Sequence, residues 1–197
     1  MKTIAAFDFD GTIIRNDSFL MFLKFSQRSY RLFLGFLWLS PYLILYLLKL
    51  YPNWKAKQKV FSFFFRKMPL EKFSSICDEF SVKLLKCLVP EAIEAIESHK
   101  KNGSIVVIIS ASIENWIRPL AEKLEVHSIL ATKIDVDNSM KITGRFLSPN
   151  CYGQEKINRL LSLFPLRSEY ILYSYGDSKG DKQLIDFSDF GFFKKFT

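Results

Sequence analysis

The sequence predicts an α/β fold: a doubly wound parallel sheet with an α-helical segment inserted after the first strand. Three observations lead there. Apolar runs without polar alternation stand at Ile4–Phe7, Ile105–Ile109 and Ile171–Tyr175, as strands covered on both faces require. From Pro90 onward, helical and strand patterns alternate, the signature of a doubly wound sheet. Between the first strand and Pro90 the patterns are helical only. At 197 residues, 49% hydrophobic and 24% charged, the chain suffices for one domain, or one with an insertion.

The elements follow in order. The first strand ends in Asp8-Phe9-Asp10-Gly11-Thr12, and Gly11 lets the chain turn away. Phe19 to Tyr30 reads as a helix capped by Asp17 or Ser18. Leu32 to Leu48 carries no charge but contains Ser40 and Pro41. That length falls just short of the ~18 residues of a transmembrane candidate, and Pro41 is expected to kink or split it. A surface-lying or re-entrant hairpin, or two buried helices, is the expectation. Lys57–Lys67 and Leu70–Leu88 read as further helices, with Pro69 opening the second. Pro90–Lys101 is a helix stopped by Gly103. Ser104–Ile109 is a β-branched strand running into Ser110-Ala111-Ser112, and Ile113–Leu124 is helical. Ser128–Ala131 is a short strand, and Met140–Phe146 a hairpin strand after the Asp137-Asn138 turn. Gln154–Leu163 is a helix, Glu169–Tyr175 a strand, Lys182–Asp186 a short helix and Phe190–Phe193 a last strand.

Charge and cysteine usage narrow the function classes. Of the net charge of +8, the stretch Arg15–Lys72 holds eleven Lys/Arg against Asp17 and Glu71, a net of +9; the rest is near neutral. Fifteen of the thirty-one aromatic residues lie between Phe19 and Phe65. A basic, aromatic segment suits an anionic membrane surface, a nucleic acid, or a bundle with a solvated basic face. Its apolar filling disfavours nucleic acid as a partner. Cys77, Cys87 and Cys151 form no metal-ligand spacing and fit free thiols in a reducing cytoplasm. Only two histidines are present, which disfavours a His-based site. Met1-Lys2-Thr3 runs straight into the first strand, so no signal peptide is expected.

The chemistry-bearing residues gather at one end of the predicted sheet. Open α/β sheets bind ligands at the carboxyl ends of their strands. Asp8 and Asp10 end the first strand there. Two carboxylates so close are costly to keep charged unless a cation joins them. They read as a nucleophile and an acid/base beside Mg²⁺, or more plainly as an Asp-Gly turn. Ser110 ends the second strand, where its hydroxyl and the following amide can hold an oxyanion. Lys156 lies early in a helix, Asp177 ends a later strand, and Asp181 follows by one turn.

This set resembles the haloacid dehalogenase superfamily of phosphohydrolases. Its four motifs stand here as DFDGT (Asp8–Thr12), IIS (Ile108–Ser110), Lys156 and GDSKGD (Gly176–Asp181). The layout, with SPNCYGQEK at Ser148–Lys156, resembles the subfamily that contains phosphoserine phosphatase, which carries a helical cap after the first motif. The resemblance implies a catalytic core of residues 1–15 and 90–197 and a cap of residues 16–89. It implies that Asp8 and Asp177 bind Mg²⁺ by side chain and Asp10 by its backbone carbonyl. Asp8 would attack phosphorus to give an aspartyl-phosphate, and Asp10 would serve as acid and then base. Ser110 and the amide of Ala111 would hold transferring oxygens, and Lys156 would neutralise charge. Asp181 would orient Lys156 or a water on the ion, with Thr12 a lesser helper.

Two departures bear on the substrate. Phosphoserine phosphatase has an asparagine where this chain has Gly180. The cap glutamate that reads its substrate's amine corresponds here to the shorter Asp17, itself a natural helix cap. The greasy, basic cap instead resembles the bacterial phosphatidylglycerophosphatase branch. The expectation is a cytoplasmic phosphomonoesterase, peripheral on the inner face of the membrane, acting on a lipid phosphate. The alternatives are a phosphatase of a small soluble metabolite such as phosphoserine, a phosphotransferase, and a non-catalytic membrane-surface binding protein on the same fold.

Overall fold

The computed structural model describes residues 2–196. Met1 and Thr197, the outer ends of the expected core, lie outside the described residues. Strand β1 (Lys2–Phe7) is the centre of a five-stranded parallel sheet. On one side it pairs with β2 (Ile105–Ile113), which pairs with β3 (Ser128–Thr132). On the other side it pairs with β6 (Tyr170–Gly176), and β6 with the edge strand β7 (Phe190–Phe193). The chain reverses its winding at β1, so the crevice at the carboxyl ends of β1, β2 and β6 is the topological switch point.

Alternation along the strands fills two cores. Ile4, Ala6, Val107, Ile109 and Leu172 face one way, towards α7 (Gln154–Leu163) and α8 (Lys182–Phe187). Ala5, Phe7, Val106 and Ile108 face the other way. That second core runs on into the four helices between β1 and α5 (Pro90–Lys101): α1 (Ser18–Ser26), α2 (Ser29–Leu47), α3 (Asn53–Phe65) and α4 (Leu70–Leu85). Phe22 joins the helices to the sheet layer. Its ring stacks on Trp116 of α6 (Glu114–Lys123) and meets Phe65, Phe73 and Phe80 edge-on or tilted. Aromatic pairs of this kind add to the area they bury.

The structure corrects the sequence reading at three places. First, the expected Phe19–Tyr30 helix ends at Ser26, and a new helix begins at Ser29. Asp17 is the N-cap, accepting the Leu20 amide at 2.9 Å. Second, Pro41 neither splits α2 nor produces a hairpin. Proline removes the N–H that would bond the carbonyl four residues back, here that of Leu37. The Ser40 hydroxyl donates to that carbonyl instead, at 2.8 Å, and the helix continues to Leu47. Nor is α2 a core helix, since only Gly35 and Leu39 on it are buried. Third, β2 does not stop at Ile109. It continues to Ile113 through a bulge, in which Ser110 pairs with Ala131 but Ile113 already pairs with Thr132. A short strand β4 (Ile134–Val136) also partners β5 (Ile142–Phe146) in a separate antiparallel ribbon. The three cysteines are free thiols.

Candidate active site

The carboxyl ends of β1, β2 and β6 and the start of α7 deliver their side chains to one cavity of about 530 Å³. Lys156 lies in the first turn of α7 and is 2% exposed. Its Nζ donates to Asp8 Oδ1 at 2.6 Å, to the Ile109 carbonyl at 2.9 Å, and to Asp181. Asp181 is itself fixed from its other oxygen, which accepts the Ser178 amide at 2.9 Å and the Ser178 hydroxyl at 2.6 Å. With both oxygens engaged, Asp181 anchors the lysine.

Asp177 differs. Its Oδ1 is buried and has no hydrogen-bond partner among the described residues. The carboxylates of Asp8, Asp177 and Asp181 lie within 4.8 Å of one another. A buried carboxylate oxygen without a partner is costly, and the donors here are all oxygen. That set fits a hard divalent cation such as Mg²⁺. Gly11 makes the approach possible. It adopts φ +75°, and a Cβ on it would lie 2.3 Å from Asp177 Oδ2.

Asp10 is held apart from this trio. Its Oδ1 accepts the Ser18 amide at 2.9 Å, and its Oδ2 accepts the Ser112 hydroxyl at 2.5 Å. Ser110 is buried at the cavity wall, and its Oγ accepts the Ser112 amide at 3.0 Å. Ala111 lines the same wall. Asp17 lines the cavity as well as capping α1. Thr12 is not brought to the cavity; its hydroxyl is buried without a partner.

Burial and neighbouring charge set the electrostatics of the site. Burial pushes the Asp8 carboxyl up to about 8, with Lys156 opposing and Asp181 and Asp10 adding to the rise. Burial also raises Asp10, against the hydrogen bonds from Ser112 and Ser18, and raises Asp177, reinforced by Asp181. Burial works against the Lys156 charge, but Asp8 and Asp181 outweigh it and raise the lysine above its usual range. Burial would likewise raise Asp181, but Lys156 overrides it and holds that carboxyl low.

Two contributors are not legible as site residues: Ser112 carries no signal in the sequence, and Lys57 reads there, with Arg31, Lys49, Lys55 and Lys59, as a cation flanking the apolar run Leu32–Leu48. Lys57 of α3 reaches the cavity, donates to the Ala111 carbonyl at 3.0 Å and sits 5.1 Å above the Phe19 ring. Burial lowers its pKa, opposed by Asp10, Asp17 and Asp8. Among alternating lysines at 55, 57 and 59 nothing distinguishes it; only the helix phase aims it inward. Ser112 looks like any strand-end serine, and the bulge in β2 is what turns it towards Asp10. Above the acids, Leu20 of α1, Phe36, Leu43 and Tyr46 of α2 and Val60 of α3 form an apolar upper wall.

The sequence model of the haloacid dehalogenase-like hydrolases matches residues 5–186. Among curated relatives, Protein CicA of Caulobacter vibrioides is 28% identical over 94% of this chain and 83% of its own length. A probable phosphatase of Mycobacterium tuberculosis is 33% identical over 49% of this chain and 33% of its own length. Among solved structures, a Bordetella pertussis protein of unknown function superposes with a TM-score of 0.82 at 19% identity, over 95% of this chain and 88% of that one. A phosphoserine phosphatase carrying an analogue of the phospho-aspartyl intermediate superposes with a TM-score of 0.63 at 18% identity, over 98% and 85% of the two chains. At these identities the structural likeness speaks for the fold.

Proposed function

The chain belongs to the haloacid dehalogenase-like hydrolases, and from that premise we propose how it works as a phosphatase and on what: Mg²⁺-dependent hydrolysis of a lipid phosphomonoester. The carrying observation for the reaction is the buried cluster in which Lys156 holds Asp8 at 2.6 Å beside the unpartnered oxygen of Asp177. Asp8, Asp177 and the Asp10 carbonyl would hold Mg²⁺, which when bound neutralises charge on the carboxylates and the phosphoryl oxygens.

Asp8 attacks phosphorus in line, and the P–O bond to the alcohol breaks as the Asp8–phosphorus bond forms. Asp10, protonated, gives its proton to the leaving oxygen. As a carboxylate it then takes one from the water that releases inorganic phosphate from Asp8. Ser110 and the Ala111 amide hold the phosphoryl oxygens, and Lys156 offsets their charge. Asp181 keeps Lys156 aimed.

The lipid reading rests on the two faces of α2. Its inner side chains Phe36, Leu43 and Tyr46 wall the cavity above the acids. Its outer face exposes Trp38 at 74% and Phe33 at 68%, with Leu34, Leu37 and Ile44 beside them. Among the described residues it is the one helix long and apolar enough to cross a membrane, and only 11% of its apolar window is buried. Arg28, Arg31, Lys49 and Lys55 flank it. An apolar face framed by cations suits a helix lying in the interface of an anionic bilayer, each cation adding about 1 kcal/mol near the surface. Gly180 stands where phosphoserine phosphatase has an asparagine, and a Cβ there would lie 2.4 Å from the Tyr152 ring, which fills the space a larger residue needs.

The test uses the purified full chain. Mg²⁺-dependent release of phosphate from lipid phosphomonoesters in anionic vesicles, abolished by Asp8→Asn, is expected, together with co-flotation with those vesicles. Turnover of phosphoserine but not of lipid phosphate, without flotation, overturns the lipid reading. No hydrolysis across lipid, sugar and nucleotide phosphates overturns the reaction.

A further inference from the structure

The environment of Asp10 contains a hydrogen-bond chain with a fixed direction. Trp116 Nε1 donates to Ser18 Oγ at 3.1 Å. Ser18 Oγ and Ser112 Oγ are 2.9 Å apart, and Ser112 Oγ is 2.5 Å from Asp10 Oδ2. Ser18, Ser112 and Trp116 are all completely buried. An indole nitrogen can only donate, and a hydroxyl carries a single hydrogen. Ser18 therefore accepts from Trp116 and gives its hydrogen to Ser112, which gives its own to Asp10. The three links come from α6, from the first residue of α1 and from the bulge in β2. The amide of Ser112 meanwhile holds Ser110 Oγ at 3.0 Å.

The direction has a consequence for catalysis. A proton on Asp10 Oδ2 would reverse the Ser112 hydroxyl towards Ser18. Ser18 would then accept twice, and its own hydrogen would have no partner among the described residues at a completely buried position, which is costly. Among the described residues, Asp10 Oδ1 accepts the Ser18 amide alone, at 2.9 Å, and keeps a second lone pair. We propose that Trp116, Ser18 and Ser112 form a one-way relay that positions Asp10 by locking Oδ2 as an acceptor, so that Oδ1 alone exchanges the catalytic proton. In the forward step the Oδ1 proton moves to the leaving oxygen as its bond to phosphorus breaks and the bond to Asp8 forms. Asp10 is left as the carboxylate that this relay already solvates. Ser112 is thus a positioning residue, joining Asp10 to Ser110 through its side chain and its amide.

The inference rests on the phosphatase reading, and its test separates the two. Phenyl phosphate needs a proton on its leaving oxygen more than p-nitrophenyl phosphate does. In Ser112→Ala, kcat/KM with Mg²⁺ is expected to fall about tenfold or more for phenyl phosphate and several-fold less for p-nitrophenyl phosphate, since acid catalysis contributes about 10² or more. Trp116→Phe keeps a ring in place and removes the N–H; Ser18→Ala keeps the amide bond to Asp10. Both are expected to show the same leaving-group split, and both guard against a misfolded Ser112 variant. Equal losses on the two esters in folded variants, or no loss on either, overturn the relay. An inactive wild-type chain, or an active Asp8→Asn, overturns the phosphatase reading instead.

Discussion

Asp8 shows how a single residue ties the site to stability. Its carboxyl is pushed up to about 8 by burial, against 3.8 when unperturbed. Between those values the folded chain binds more protons than the unfolded chain, so stability is highest on the acid side and is lost as pH rises through about 8. Asp10 and Asp177, also raised by burial, act in the same sense. With the metal chelated, the melting temperature is expected to fall from about pH 5 to pH 8, and Asp8→Asn to flatten that slope. Mg²⁺ is expected to raise the melting temperature more at pH 8 than at pH 5. Differential scanning fluorimetry across pH, with and without Mg²⁺, checks each statement. At this scale the sequence was informative where chemistry forces unusual residues into short spacing, as at Asp8, Asp10, Asp177 and Asp181. Ser112 carried no signal, and Lys57 read only as a cation flanking the apolar run. Their roles come from a bulge and a helix phase, which change no residue type.

At the scale of elements, α2 is where sequence and structure part most. An apolar run broken by proline looks like two helices. The Ser40 hydroxyl supplies the bond that Pro41 cannot, so one helix of 19 residues results. Most other elements were legible because a switch of hydrophobic period from helix to strand is visible in one dimension. The extension of β2 was not, because Ser110-Ala111-Ser112 lacks a strand's apolar signal. The exposure of α2 yields a prediction of its own. The double variant Phe33→Ser/Trp38→Ser should keep its melting temperature, because neither side chain packs in the core. Its affinity for anionic vesicles should fall about tenfold or more, given the apolar area removed. Flotation beside a thermal melt separates a docking helix from a loosely packed one.

For the whole molecule, what matters is how far apart in sequence the site's parts lie. Asp8 and Lys156, in direct contact, are 148 residues apart. Asp177 comes later still, on the strand that pairs with β1. A cation bound by Asp8 and Asp177 stabilises only a chain in which β1 is paired with β6. Mg²⁺ is therefore expected to slow unfolding several-fold while leaving the refolding rate little changed. Stopped-flow unfolding and refolding at two Mg²⁺ concentrations reads this out; an equal acceleration of refolding would place the site in the folding nucleus.

The position of the helical insertion also governs how the chain leaves the ribosome. Ile4–Phe7 emerges before the strands it pairs with, and these residues end fully buried at the centre of the sheet. Their partners on β2 begin at Ile105, and those on β6 lie at Leu172–Tyr175. For about a hundred residues of synthesis, some seconds at ordinary translation rates, this central strand has nothing to pair with. During that time the phenylalanine-rich helices behind it can already pack on one another. The nascent chain is thus a forming helical bundle trailing a bare strand, open to chaperones and to other unfinished copies until β2 emerges.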